Sequence, residues 1–130
     1  MKKFLFALSL LFTTPVYAHD YLVTVVKTTD GDTIQIAMPG LPHELNNLKV
    51  RVKGVDTPEK GYLAGCTSEA EAAEAATKFT SELMAANNYR IIIRNIKWDK
   101  YGGRINADVT LPTTGEDIAT LMINKGHARA

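Results

Sequence analysis

The chain has 130 residues, 45% of them hydrophobic and 22% charged, with fifteen basic against fourteen acidic side chains. This balance excludes a protein that is basic over its whole surface, so any nucleic-acid binding must come from a local cluster of positive groups. The sequence contains no repeat, no low-complexity tract and no sign of a second domain.

The first eighteen residues have the pattern of a secretory signal peptide. Two lysines precede a short apolar run from Phe4 to Phe12, and Val16-Tyr17-Ala18 forms a small-residue cleavage site. The run is shorter than the ~20 apolar residues that cross a bilayer; a retained membrane anchor is the alternative. We therefore expect residues 1–18 to be removed and residues 19–130 to form an exported domain, periplasmic or secreted, with no membrane attachment. Its formal charge would be about −1, because both lysines are lost.

Runs of alternating apolar and polar residues, and runs rich in β-branched residues, predict five strands. Their expected bounds are Tyr21–Lys27, Thr33–Met38, Leu48–Val55, Tyr89–Trp98 and Arg104–Leu111. Asp30-Gly31 predicts a tight turn between the first two strands. In the third strand Val50 and Val52 share one face, so we expect Arg51 to project from the opposite face.

Two helices are predicted. A capping box at Ser68–Glu71 indicates a helix that runs to about Ala86, and Asn87-Asn88 should end it. Its buried stripe is expected at helical spacing: Ala72, Ala76, Phe79 and Leu83. A short C-terminal helix would be capped by Thr114, turn Ile118, Leu121 and Met122 inward, and stop at Gly126.

The order of three strands, a helix, two strands and a helix favours a mainly β fold. It predicts a five-stranded Greek-key OB-fold barrel with a helix between strands 3 and 4 and a short C-terminal helix. An antiparallel α+β sheet with the same elements is the alternative.

Two single residues have alternative interpretations. Cys66 is the only cysteine, so no internal disulfide forms; we expect it to be buried and inert, and a disulfide between chains is the alternative. Trp98 is expected to pack in the core at a strand end, with stacking on a nucleic-acid base as the alternative.

Three segments place carboxylates or arginines beside turn residues at predicted strand ends. They are Asp30-Gly31-Asp32-Thr33, Arg51 followed by Asp56-Thr57-Pro58-Glu59, and Asp99 to Arg104. Each one alone is also compatible with an ordinary turn, but their combination at strand ends favours a common site. Carboxylate oxygens that hold a hard cation, and guanidinium groups that hold a phosphate, predict metal-assisted phosphodiester chemistry.

The residue types suggest individual roles. Asp32 and Asp56, with a backbone carbonyl and water, would make an oxygen-only site that suits calcium or magnesium and not zinc. Glu59 is the candidate base that orients or deprotonates water. Arg51 and Arg104 supply planar groups for bidentate phosphate binding.

From about Val23 to Ala128 the sequence resembles the thermonuclease (staphylococcal nuclease) family. The family's motifs are Asp-Gly-Asp-Thr, an arginine leading to Asp-Thr-Pro-Glu, and Asp-Lys-Tyr-Gly-Arg. The resemblance implies a five-stranded OB barrel and a calcium-dependent, sugar-nonspecific endonuclease. Such an enzyme cleaves DNA and RNA as substrates and leaves 3′-phosphates. We expect it to be a monomer.

By that resemblance, residues of this chain take the family's roles. The implied set is Asp32, Asp56 and the carbonyl of Thr57 for calcium, Glu59 as general base, Arg51 and Arg104 as phosphate clamps, Lys100 and Tyr101 as nucleotide-phosphate contacts, and Asp30 near the metal.

One departure from the family concerns the third motif, in which Tyr101-Gly102-Gly103-Arg104 contains an extra glycine. A one-residue slip turns a strand side chain to the opposite face, but a turn glycine absorbs an insertion as a bulge. We expect Arg104 to reach the site. If it does not, the rival is a catalytically inactive OB module that binds nucleic acid or a protein partner. An interaction domain that uses the helix from Ser68 to Ala86 is a third possibility.

Overall fold

The structure, a computed structural model, describes residues 19–38, 40–42, 46–58, 66–100 and 102–130. The expected signal peptide, residues 1–18, lies outside these described residues. The helices and strands are β1 (Tyr21–Asp30), β2 (Thr33–Ala37), β3 (Asn47–Val52), α1 (Thr67–Ala86), β4 (Arg90–Trp98), β5 (Arg104–Thr110) and α2 (Ile118–Asn124). All five predicted strands and both predicted helices are therefore confirmed, with ends that shift by at most three residues.

The strands close into a barrel in the order β1-β2-β3-β5-β4, in which β4 pairs back with β1. Four of the neighbouring pairs are antiparallel, and β3 with β5 is parallel. Helix α1 connects β3 to β4, as expected for the OB barrel. The predicted mainly β barrel is confirmed, and the alternative of an α+β sheet is wrong because the sheet closes.

The barrel core follows from alternation along the strands. Side chains of one face are almost wholly buried: Ile34, Ile36, Val50, Val52, Ile91, Ile93, Ile105 and Val109. Burying an aliphatic side chain of this size contributes about 1.5–3 kcal/mol each relative to leaving it exposed. This inner face stabilises the barrel, and the outer face remains available for polar side chains.

Helix α1 packs against the barrel with a face that agrees in part with the sequence pattern. Its buried residues are Ala73, Ala76, Thr80 and Met84. Phe79 and Leu83 are half-buried beside them, but Ala72 is exposed, so its predicted place in the stripe is wrong. The buried face also contains a polar residue that the apolar pattern leaves out: Thr80 is buried, and its hydroxyl donates to the carbonyl oxygen of Gly31 at 2.7 Å. A prediction based on apolar residues alone misses this contact.

The starts of both helices also differ from the predicted caps. Helix α1 has Cys66 as its N-cap and no side-chain capping bond, so the capping box at Ser68 is wrong. Helix α2 is capped by Asp117, which accepts from the backbone N–H of Thr120 at 3.1 Å. Thr114 accepts from the N–H of Glu116 instead, and so shapes the loop before the helix. Of these two helices, only α2 has a side-chain cap, and it comes from the residue directly before the first helical turn.

The ends and inward residues of the helices agree with the sequence. Asn87 is the C-cap of α1. In α2, Ile118 and Met122 are buried and Leu121 is half-buried. Gly126 takes a φ of 78° just after that helix, a conformation that favours glycine.

Two side chains expected in the core lie on the surface. Cys66 is exposed, because it precedes α1 and does not belong to its buried face. Trp98 is 66% exposed, because it occupies the last position of β4 at the rim of the barrel. Neither helix in the described part of the chain has the combination of length and apolar character that a membrane span requires.

Candidate active site at the rim of the barrel

Asp32 is fixed in the turn between β1 and β2. Its residue is buried, with 8% of its surface exposed. Its carbonyl accepts from the N–H of Val52 at 2.8 Å, and its carboxylate accepts from the Thr33 hydroxyl at 3.1 Å. Backbone and side chain are thus both anchored, so the carboxylate has a defined position at the strand end.

Arg51 connects the two carboxylates that sequence analysis assigned to a cation. It lies on the outer face of β3, paired with Thr33 of β2. Its Nη2 atom is 3.6 Å from Oδ2 of Asp32 and 3.8 Å from Oδ1 of Asp56. One nitrogen therefore contacts both carboxylates. Because the Arg51 side chain is 35% exposed, solvent screens these pairs and they add at most about 1 kcal/mol each to stability.

Asp56 also contacts a residue that sequence analysis missed. Its N–H donates to the carbonyl of Arg129 at 2.8 Å, and the N–H of Arg129 donates back at 3.0 Å. Nη2 of Arg129 lies 3.4 Å from Oδ2 of Asp56. No local motif signals this contact, because the two residues are 73 positions apart and meet only when the C-terminal segment packs beside the loop.

Gly31 allows the loop that carries Thr57 to approach the turn. A Cβ atom at Gly31 would lie 2.9 Å from the Ala76 Cβ and 2.9 Å from the Thr57 Cγ2. Only the absence of a side chain permits this contact. Thr57 is consequently buried beside Asp56, and the turn, the loop and helix α1 are packed together.

Arg104 lies on the same outer face as Arg51. Gly103 takes a φ of 78°, and Arg104 then begins β5 beside Lys49, while the next residue, Ile105, is buried in the barrel. The Nε atom of Arg104 donates to the carboxylate of Asp99. The extra glycine is thus accommodated within the turn, and the strand starts with its arginine outward.

A cleft of about 410 Å³ lies between these strand ends. Six residues singled out from the sequence line it: Asp30, Asp32, Arg51, Asp56, Lys100 and Arg104. Thr57 lies directly beside it, while Glu59 and Tyr101 are outside the described residues. Asn106 lines the cleft as well and was missed, although its position two residues after Arg104 on a strand could have revealed it.

The donor atoms of the cleft have the chemistry of a hard cation's ligands. Its acidic lining consists of aspartates, and it contains no cysteine or histidine. Among the described residues, no three His, Cys, Asp or Glu side chains are grouped as a metal site. A cation bound to Asp32 and Asp56 would therefore need backbone or water oxygens as well. Such an all-oxygen set fits calcium or magnesium and not zinc.

Comparison with known proteins places part of the chain in a known family. Residues 49–130 match the model of a family described as staphylococcal nuclease homologue. No curated protein matches the chain. The matched span contains Arg51, Asp56 and Arg104, and the barrel adds Asp32 to them from the turn before β2.

Proposed function

Because the chain belongs to the staphylococcal nuclease family, we propose that it is an exported, calcium-dependent, sugar-nonspecific nuclease. It would hydrolyse phosphodiester bonds of DNA and RNA and release products with 3′-phosphates. The observation that carries this proposal is that Arg51 contacts both Asp32 and Asp56 in the cleft that Arg104 also lines. Acidic and guanidinium groups thus meet where a phosphate can enter.

Calcium would be held by Asp32, Asp56 and the backbone carbonyl of Thr57. When bound, a divalent cation supplies positive charge that stabilises the negative charge developing on the phosphate oxygens. The protein's part is to fix its oxygen donors. The hydrogen bonds of Asp32 in the turn and the backbone pairing of Asp56 with Arg129 support this.

The arginines would bind the phosphate from the barrel side. Arg51 and Arg104 lie on the outer faces of the adjacent strands β3 and β5, two rungs apart in the parallel register. Planar guanidiniums match phosphate oxygens bidentately. Their charge stabilises the transition state more than the substrate, because negative charge accumulates as the nucleophile adds.

The water nucleophile would be oriented or deprotonated by Glu59, three residues after Asp56. Lys100, which lines the cleft, and Tyr101 would contact the phosphate of the nucleotide. These assignments to phosphate and water leave the sugar uncontacted, which supports cleavage of both DNA and RNA. Single-stranded or frayed substrates are favoured because their phosphates enter an open cleft without distortion of a duplex.

The test uses the chain from residue 19 onward with denatured DNA and with RNA, in calcium and in a chelator. We expect cleavage only with calcium, strongly reduced in Arg51→Ala and in Glu59→Ser. Lys78→Gln is the matched control, because Lys78 is exposed on helix α1 and its ion pair among the described residues is with Glu82 of the same helix. Binding without cleavage in calcium would overturn the proposal in favour of an inactive OB module.

A further inference from the structure

Two lysines continue the outer face of the sheet beyond the cleft. In the parallel register Lys49 of β3 lies beside Arg104 of β5. In the antiparallel register Lys97 of β4 lies beside Asn106, which itself lies beside Arg51. Directly paired residues lie on the same face of a sheet. The two lysines therefore flank the two arginines and Asn106 on one continuous surface.

The charges of these lysines are not neutralised within the described part of the chain. Both side chains belong to exposed residues, and neither forms an ion pair there. Some other surface cations do have acidic partners: Lys78 pairs with Glu82 and Arg94 pairs with Asp20. Because residues 19–130 together carry a formal charge of about −1, this positive surface is a local concentration and not a property of the whole protein.

We propose that Lys49 and Lys97 form a phosphate-binding track that extends the cleft and binds the nucleotides flanking the scissile phosphate of a single-stranded nucleic acid. The proposal deepens the proposed function and rests on it, since that function places the scissile phosphate at Arg51 and Arg104. Neighbouring strands are ~4.8 Å apart. Lys49 is thus about one strand spacing from Arg104, and Lys97 about two from Arg51, a span suited to adjacent phosphates.

A polynucleotide fits this surface better than an anionic membrane does. Membrane-binding basic segments gather about four to eight lysines or arginines in one patch. Here two lysines border a polar cleft and Asn106 lies between basic residues. That arrangement follows a chain of separated phosphates, as in grooves that bind single strands by their backbone.

The experiment measures binding without cleavage. Fluorescently labelled single-stranded DNA of 2, 4, 8 and 12 nucleotides is titrated with the chain from residue 19 onward in a chelator, at 50 to 200 mM salt. Wild type should gain affinity as the strand lengthens. Lys49→Gln/Lys97→Gln should lose most of that gain, and its slope of log affinity against log salt should be shallower by about 1.4, or ~0.7 for each lost phosphate contact.

Lys78→Gln provides the control, because it removes one exposed lysine on the solvent side of α1. It should keep the wild-type slope and length dependence. The proposal is overturned if the double variant keeps both, if Lys78→Gln changes them equally, or if the double variant loses binding to anionic lipid vesicles and not to DNA.

Failure of the track and failure of the nuclease proposal are distinguishable. If wild type cleaves DNA with calcium while the double variant binds like wild type, only the track is wrong. If wild type binds with the expected length dependence and the double variant loses it, the track stands even where calcium produces no cleavage.

Discussion

The two faces of strand β3 share one backbone but differ in the burial and the charge of their side chains. The inward side chains, Leu48, Val50 and Val52, are buried in the apolar core. The outward ones, Lys49 and Arg51, carry positive charge beside the cleft. Because successive side chains of a strand alternate, one register fixes both faces together. The inner face therefore needs apolar volume, whereas the outer face needs particular groups at particular positions.

The largest expected effect comes from placing charge on the inner face. Val50→Asp would put an unpaired carboxylate where the native side chain is 0% exposed. A buried unpaired charge costs more than about 4 kcal/mol, a large share of the roughly 5–15 kcal/mol that stabilises a domain. We expect the variant to be unfolded by circular dichroism and to lack a cooperative thermal transition.

Lys49→Asp is the matched control on the outer face. It adds the same carboxylate one residue away in an exposed position, so we expect a stability change of about 1 kcal/mol or less. A folded Val50→Asp protein with a normal melting curve would contradict the assigned inner face.

The next effect concerns chemistry on the outer face. Arg104→Ala should lower the cleavage rate by about a hundredfold to a thousandfold, since removal of one transition-state donor typically costs that much. Its stability should fall as well, because the Asp99 side chain that Arg104 pairs with is only 8% exposed and would lose this cationic partner. Single-turnover cleavage of denatured DNA and a thermal melt measure the two quantities.

Arg104→Lys separates the effect of the planar guanidinium geometry from the effect of the positive charge. Lysine keeps one positive charge but lacks the planar fork, so we expect activity between that of wild type and Arg104→Ala. Equal activity in all three proteins would show that Arg104 does not contact the reacting phosphate.

The sequence predicts the inner face of the barrel well. Alternating apolar and polar residues show which side chains of a strand are buried, even when the neighbouring strands are unknown. Ile34, Ile36, Val50 and Val52 are recognisable from alternation alone. The turn residues at strand ends are similarly recognisable, and closure of the barrel then brings Asp32, Arg51 and Asp56 together.

What the sequence could not give depends on contacts between distant segments. The Arg129 contact with Asp56 exists only through tertiary pairing. The buried face of α1 was predicted without Thr80, which is buried and bonds to the Gly31 carbonyl. Trp98 was placed in the core because its apolar ring suggested burial, but its strand ends at the open rim. In each case a long-range contact, or its absence, outweighs the local pattern.

Gly31→Ala tests how closely the core and the cleft are coupled. The added methyl group would meet the Ala76 and Thr57 side chains at 2.9 Å, so helix α1 or the Thr57 loop must move. Overpacking of this kind costs about 1–3 kcal/mol, and cleavage should fall as well because Thr57 adjoins Asp56. Chemical denaturation and the calcium dependence of cleavage would measure both effects.

Gly102→Ala is the corresponding control in the third turn. Nothing lies within 4 Å of the position its Cβ would take, so stability should stay within about 0.5 kcal/mol of wild type. If Gly31→Ala were equally silent, the turn and the helix would not be in the contact that the structure describes.

The smallest effect is at Cys66, an exposed side chain outside both the core and the cleft. The nearby backbone N–H of Glu69 and the Ser68 hydroxyl, 3.7 Å from the Cys66 sulfur, favour the thiolate and lower the pKa of the Cys66 thiol below its usual value. A lowered pKa means more thiolate at any given pH below the ordinary value, and the thiolate is the reactive form. The pH midpoint of alkylation should therefore be lower in the native protein than in urea, and Ser68→Ala should raise it slightly. If the thiol reacted only in urea, Cys66 would be buried and inert, as expected from the sequence, and the exposed position would be wrong. A dimer on a non-reducing gel would instead identify a disulfide between chains.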